Sequence, residues 1–169
     1  MKSILLFRHG KSNWKAQYEG DHERPLSNRG VKAAKLMGKY VFQIKQVPEK
    51  IISSTALRAK CTAELALKFG NWNSKISLNT NIYHCSIETL KTIIADQNQN
   101  VNYICLVGHQ PTLSFFLNEI TGENLFAFPT ASMAKINLPI YRWKEIEHAK
   151  GVLSWFKKPK ELMPFKSTI

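Results

Sequence analysis

Five residues, Tyr103-Ile104-Cys105-Leu106-Val107, form an unbroken apolar run that stops at Gly108-His109-Gln110-Pro111. A run of this length, bounded by glycine and proline, is expected of a strand buried on both faces. Such a strand requires a sheet covered by helices on either side, which narrows the chain to the α/β class. The remainder of the sequence fits that class. Lys2 to Phe7 reads as a first strand, Lys50 to Ser53 as a second and Ile76 to Leu78 as a third. Met133 to Leu138 and Gly151 to Phe156 read as two late strands. With Tyr103–Val107 this gives a sheet of about six strands, mostly parallel. The last two strands lack a long helix between them, so at least one is expected to be antiparallel at an edge.

Helical segments alternate with these strands. Ser27 is placed to cap a helix in which Val31, Ala34, Met37, Val41 and Ile44 recur at helical spacing, and Pro48 ends it. Ser54 can cap a second helix with Leu57, Cys61, Leu65 and Phe69 on one face and Gly70 as its stop. Ser86 can cap a third that runs to about Asp96. Pro111 suits the first turn of a fourth, which runs to about Ile120.

The 169 residues are expected to form one domain, 1–169, and 44% of them are hydrophobic, as in globular chains rather than disordered ones. No apolar run approaches the length of a membrane span, and the start of the chain is too short in apolar residues for a signal-peptide core. Cys61, Cys85 and Cys105 lie far apart, which argues against a disulfide framework or a zinc site and for ordinary core residues in a reducing, cytoplasmic setting. No metal or cofactor is expected. The net charge of +12 favours anionic partners, among which charge alone does not choose.

Ligands of open α/β sheets bind beyond the carboxyl ends of the strands. Three such ends carry chemically marked residues: Arg8-His9-Gly10-Lys11-Ser12, Ser53-Ser54-Thr55-Ala56-Leu57-Arg58 and Gly108-His109-Gln110-Pro111. A phosphoryl group spreads negative charge over its oxygens, so it calls for fixed positive donors, and the arginine fork can grip it with two hydrogen bonds. Arg8 and Arg58 fill that role. The helix N-terminus after His109 adds backbone N–H groups, and a neutral imidazole is a competent nucleophile toward phosphorus. The two arginines are expected to hold the pKa of His9 below its usual value.

These motifs together resemble the histidine phosphatase superfamily, which includes the phosphoglycerate mutases, and within it the small SixA-type phosphohistidine phosphatases. The resemblance rests on Leu6 to Trp14, Asp21 to Gly30 (with Arg24-Pro25-Leu26), Ser53 to Glu64 and Leu106 to Thr112. It implies a three-layer α/β/α, phosphoglycerate mutase-like fold, His9 as the phosphorylated nucleophile, and Arg8, Arg58 and His109 as the phosphate pocket. Arg24 either lines the rim of that pocket or only shapes the entry to the Ser27 helix. Mutases and acid phosphatases of the family use a carboxylate as proton donor. Glu88 is the candidate here, although its place in the first turn of a helix is explained equally by the helix dipole.

His22, His84 and His148 have no partner motif and read as loop or surface residues. The basic stretches Lys144–Lys150 and Lys157–Lys160 read as solvated faces, with substrate docking second. The expected partner is a phosphorylated protein or a small phosphorylated substrate. Neither membrane nor nucleic acid is expected: nucleic-acid recognition calls for stacking aromatics among the basic residues, and the clearest such stretch, Trp155-Phe156-Lys157-Lys158, also reads as the end of a strand. The competing readings are a small-molecule phosphomonoesterase, a phosphoglycerate mutase-like enzyme, and a non-catalytic phosphate-binding module.

Overall fold

The computed structural model describes residues 1–125 and 127–163. Ten regular elements follow one another: β1 (Lys2–Arg8), α1 (Asn28–Gln43), β2 (Lys50–Ser54), α2 (Leu57–Phe69), β3 (Lys75–Asn79), α3 (Ile87–Ala95), β4 (Tyr103–Gly108), α4 (Thr112–Thr121), β5 (Met133–Leu138) and β6 (Val152–Lys157), with short 3-10 turns between some of them. The six strands form one sheet in the order β3-β2-β4-β1-β5-β6. The β1–β4, β2–β4 and β2–β3 pairs are parallel, and β5 runs antiparallel to both β1 and β6. The expected six-stranded α/β architecture is therefore present, with the two late strands together on one side and β5 alone running against the others.

Alternation along β1 and β4 divides the core. Ile4, Leu6, Ile104 and Leu106 face α3, α4 and the 3-10 turn at Trp143–His148. Leu5, Phe7, Cys105 and Val107 face α1 and α2. Both strands are thus buried on two sides, which is why Tyr103–Val107 lacks polar alternation. The helix after β1 packs on one face and the helix after β4 on the other. The crevice between these two strand ends is the topological switch point at which doubly wound sheets bind ligands.

Three local expectations change. Ser54 does not cap α2: it is the last residue of β2, paired with Asn79, and Ala56 takes the cap position. Pro111 likewise stands at the cap of α4, one residue earlier than expected. Gly70 does close α2, but at φ −84°, outside the left-handed region. Its need for glycine is spatial, since a Cβ would lie 2.4 Å from the Gly38 carbonyl oxygen and 2.5 Å from that of Ala66, where α1 and α2 cross closely. Ser27 and Ser86 cap as expected, accepting from the amides of Gly30 and Thr89.

Candidate active site

The parallel pairing of β1 with β4 sets Arg8 opposite Gly108, so His9 and His109 emerge side by side from the same end of the sheet. The backbone around His9 is fixed on every side. Its amide donates to the Gly108 carbonyl at 3.1 Å, its carbonyl accepts from Ala131 at 2.9 Å, and the next amide, Gly10, donates to Thr62 Oγ1 on α2 at 2.9 Å. The loop that follows lies against the first turn of α1, where a Cβ on Gly30 would sit 2.2 Å from the Lys11 carbonyl oxygen.

His9 is buried, with 7% of its surface exposed, and its Nδ1 lies 2.7 Å from the Gly10 carbonyl oxygen. A carbonyl only accepts, so Nδ1 carries the proton and the lone pair of the neutral ring resides on Nε2. The His109 ring stands 5.2 Å away, centroid to centroid, with its Nε2 2.8 Å from Ser54 Oγ. Burial pushes the pKa of His9 down to about 4, with smaller contributions from Arg58, Arg8 and Arg24, and the Gly10 hydrogen bond opposes the shift. The lowering expected from the sequence is present, but burial rather than the arginines leads it. His109 is pushed down to about 3, again chiefly by burial and then by His9 and Arg58.

Arg8, Arg24, Arg58, His9, His109 and Gln110 share one cavity of about 510 Å³. The Arg8 guanidinium donates to the Phe128 carbonyl at 2.9 Å. Arg58 donates from Nη1 to the Asp21 carbonyl at 2.8 Å and from Nη2 to Asp21 Oδ2 at 3.0 Å. Arg24 pairs with the other Asp21 carboxylate oxygen, and its guanidinium stacks 3.6 Å above the exposed Trp14 ring. The Nε atoms of Arg8, Arg24 and Arg58 and Nδ1 of His109 are buried with no hydrogen-bond partner among the described residues. Buried donors normally find partners. Three unspent guanidinium donors around a single cavity, with the unpaired His109 nitrogen beside them, fit an anion held from several directions.

Of the candidates named from the sequence, His9, His109, Arg8, Arg58 and Arg24 come together here. Arg24 lines the cavity and lies just ahead of α1, so both readings of its position hold geometrically. Glu88 does not line the His9 cavity. It is exposed in the first turn of α3, on an adjoining groove that shares His84, His109 and Gln110 with that cavity. The N-terminus of α4 offers fewer free amides than expected: Leu113 N–H bonds the His109 carbonyl, and the Gln110 side chain accepts from Ser114 N–H at 3.0 Å.

Three residues were not singled out in advance. Asp21 joins Arg58, Arg24 and the Tyr83 hydroxyl. The Tyr83 hydrogen bond and then Arg58 hold its carboxyl below the usual carboxylate range. His84, read as an ordinary loop residue, forms part of the cavity wall at φ 55° with its ring 3.9 Å from that of Tyr83. The only sequence signal for Asp21 is an acid three positions ahead of Arg24. Nothing local marks Tyr83 or His84.

A pH dependence of stability follows. Near pH 5 both buried rings stay neutral in the folded chain, whereas unfolded histidines, titrating near 6.5, are mostly protonated. The unfolded state then binds more protons. Stability is therefore complete above about pH 6.5 and falls as pH drops toward 4, by up to about 2 kcal/mol per ring at pH 5. Urea unfolding at pH 7 and pH 5 checks this. The midpoint should fall at pH 5, and the fall should shrink in His9→Asn and His109→Asn. Asp21 adds a separate loss at lower pH: its lowered pKa makes its contribution complete above the ordinary carboxylate range and lost progressively below it, as pH falls toward the lowered folded value.

Comparison with known proteins agrees with this geometry. The sequence model of the histidine phosphatase superfamily (branch 1) matches residues 4–80, from β1 to the start of the turn after β3. The phosphohistidine phosphatase SixA of Escherichia coli is 25% identical over 167 residues, 97% of this chain and 98% of its own length. An uncharacterised protein of Mycobacterium leprae is 27% identical over 165 residues, 90% of this chain and 99% of its own. A crystal structure from Agrobacterium tumefaciens, provisionally assigned as SixA, superposes with TM-score 0.80 at 28% identity, covering 94% of this chain and 98% of that one. Residues 4–80, which carry Arg8, His9, Arg24 and Arg58, are thus similar to the histidine phosphatase superfamily. Similarity to the SixA proteins extends along nearly the full length of both chains.

Proposed function

We propose that the protein is a phosphatase that accepts a phosphoryl group on His9 Nε2 and releases it to water, with phosphohistidine of a protein as its substrate. The observation that carries this reading is the His9 ring: buried, neutral, with its proton on Nδ1 and its lone pair free among unspent cationic donors. In the first step Nε2 attacks phosphorus and the bond to the leaving group breaks. In the second, water attacks the same phosphorus, the P–N bond breaks, and the lone pair returns to Nε2. Arg8, Arg58 and His109 bind the phosphoryl oxygens through both steps and stabilise the charge on them. Arg24 extends the grip at the rim. A non-catalytic phosphate-binding module would need the arginines but not a buried nucleophile.

Two features favour a protein substrate. His109 follows Arg58 by 51 positions, and α2, β3, α3 and β4 occupy most of that stretch, which leaves little chain for a lid. A mutase must shield its phosphoenzyme from water, whereas a phosphatase for a protein side chain gains from an open mouth. The name carried by the Escherichia coli relative points to the same substrate. The test is a panel of phosphohistidine peptide, phosphoserine peptide, sugar phosphates and phosphoglycerate, assayed with and without excess EDTA. Phosphohistidine should be turned over best, with EDTA without effect because the guanidinium groups supply the positive charge. Isomerisation of phosphoglycerate, or activity that vanishes in EDTA and returns with metal, would defeat the reading.

Glu88 remains the proposed proton donor, and its effect should depend on the leaving group. An alkoxide needs a proton as the P–O bond breaks, and a general acid contributes roughly 10²–10⁴-fold there. An imidazole can be protonated near neutral pH before it leaves. Glu88→Gln should therefore slow an alkyl phosphate far more than a phosphohistidine peptide. Equal loss on both substrates, with the fold intact, would favour a general phosphomonoesterase.

A further inference from the structure

A second cavity of about 280 Å³ adjoins the His9 cavity and shares Lys11, Arg29 and Thr130 with it. Its character differs. Four cations surround it: Lys11 from the loop after His9, Arg29 from the first turn of α1, and Lys158 and Lys160 from the segment after β6. No carboxylate lines it among the described residues, and none of the four cations is in an ion pair there. The neighbouring Glu161 is turned away, toward Lys157 Nζ and the Lys158 amide. Beneath the cations lie Ala33, Pro129, Pro159 and Met163, an apolar floor.

We infer that this cavity is a docking subsite for an acidic, apolar-containing segment that flanks the phosphorylated residue of a protein substrate. The inference rests on the phosphatase reading and narrows it, because the subsite opens directly from the phosphoryl pocket. Charge complementarity selects carboxylates. Lysine ammonium groups on long stems can follow carboxylates at varied positions, unlike a rigid guanidinium fork. The apolar floor selects a polypeptide over a small bisphosphate, which would leave that surface unused. Residues 164–169, Pro-Phe-Lys-Ser-Thr-Ile, carry a lysine and no acidic side chain, so charge disfavours them as the occupant.

The test uses three short fluorescent peptides that carry a hydrolysis-resistant phosphonate analogue of phosphohistidine. One is flanked by Glu and Leu; in the others each Glu is replaced by Gln or by Lys. By fluorescence anisotropy the wild-type chain should bind the Glu peptide about tenfold more tightly than the Gln peptide, a preference that fades as salt rises. K158E/K160E should abolish the preference and favour the Lys peptide, and K158Q/K160Q should abolish it without reversal. Hydrolysis of a small aryl phosphate should match wild type in both variants. If the wild type hydrolyses no phosphate ester or phosphohistidine, the phosphatase reading fails, while the binding comparison still reports on the subsite. Glu and Gln peptides that bind within twofold of each other, or a preference that survives K158E/K160E, would overturn the inference. It is also overturned if the Glu peptide binds only after truncation at Met163, which would make the chain's own last residues the occupant.

Discussion

His9→Ala should abolish turnover, with kcat/KM reduced by at least about 10⁴-fold on phosphohistidine and ester substrates alike. The loss should be uniform because both steps pass through the same P–N bond, so no leaving group, however good, bypasses the ring. Rapid quench of the wild type with labelled substrate should trap an adduct that is labile in acid and stable in base, as a phosphoramidate is. Its yield should be stoichiometric in a burst if hydrolysis of the adduct is the slower step. His9→Asn is the companion variant, since it keeps a polar group near Gly10 while removing the nucleophile, and it should be equally inactive with an unchanged unfolding midpoint at pH 7. A label found on any other side chain, or turnover within a hundredfold of wild type in either variant, would remove His9 from the mechanism.

Arg58→Ala should lower kcat/KM by roughly 10²–10³-fold, the range for loss of one preorganised charged donor. Two effects combine. The phosphoryl oxygens lose a positive donor, and Asp21 loses one of the two guanidinium groups that neutralise it. Asp21 then projects less-compensated negative charge toward the site. A double-mutant cycle separates the effects: Asp21→Asn in the Arg58→Ala background should recover several-fold of the lost rate. Arg58→Lys should recover little, because a single ammonium cannot reproduce the fork that meets both the Asp21 carbonyl and its carboxylate. A variant lacking Arg58 but within threefold of wild type would mean that Arg8 and His109 bind the phosphoryl group without it.

Much of this geometry could be read from the chain because strand ends are marked locally. Arg8-His9-Gly10 and Gly108-His109 each follow an apolar run, and a buried sheet leaves only one rim on which such residues gather. The capping serines Ser27 and Ser86 were legible for the same reason: a cap involves residues three apart. What escaped was tertiary. Ser54 has the composition of a cap, yet its hydroxyl faces His109 at 2.8 Å across two strands, and no local pattern encodes that meeting. Asp21 lies within a stretch already marked by Arg24-Pro25-Leu26, but its pairing with Arg58, 37 positions away, depends on where a 3-10 turn is placed against α2. His84 reaches the cavity from a residue at positive φ, a conformation that histidine adopts only infrequently.

The parallel register of β1 and β4 makes the sheet a ruler. Neighbouring strands in any sheet lie about 4.8 Å apart. One step past the matched pair Arg8 and Gly108, the two imidazoles stand 5.2 Å from each other. Their interval is thus inherited from the spacing of backbone hydrogen bonds, not tuned by the loops that surround them. Exchanging the stretch between Gly10 and Leu26 for one of another length would leave that interval intact. Adding one residue within Tyr103–Gly108 would turn the second imidazole to the opposite face of the sheet, and no adjustment of the surrounding loops could bring it back.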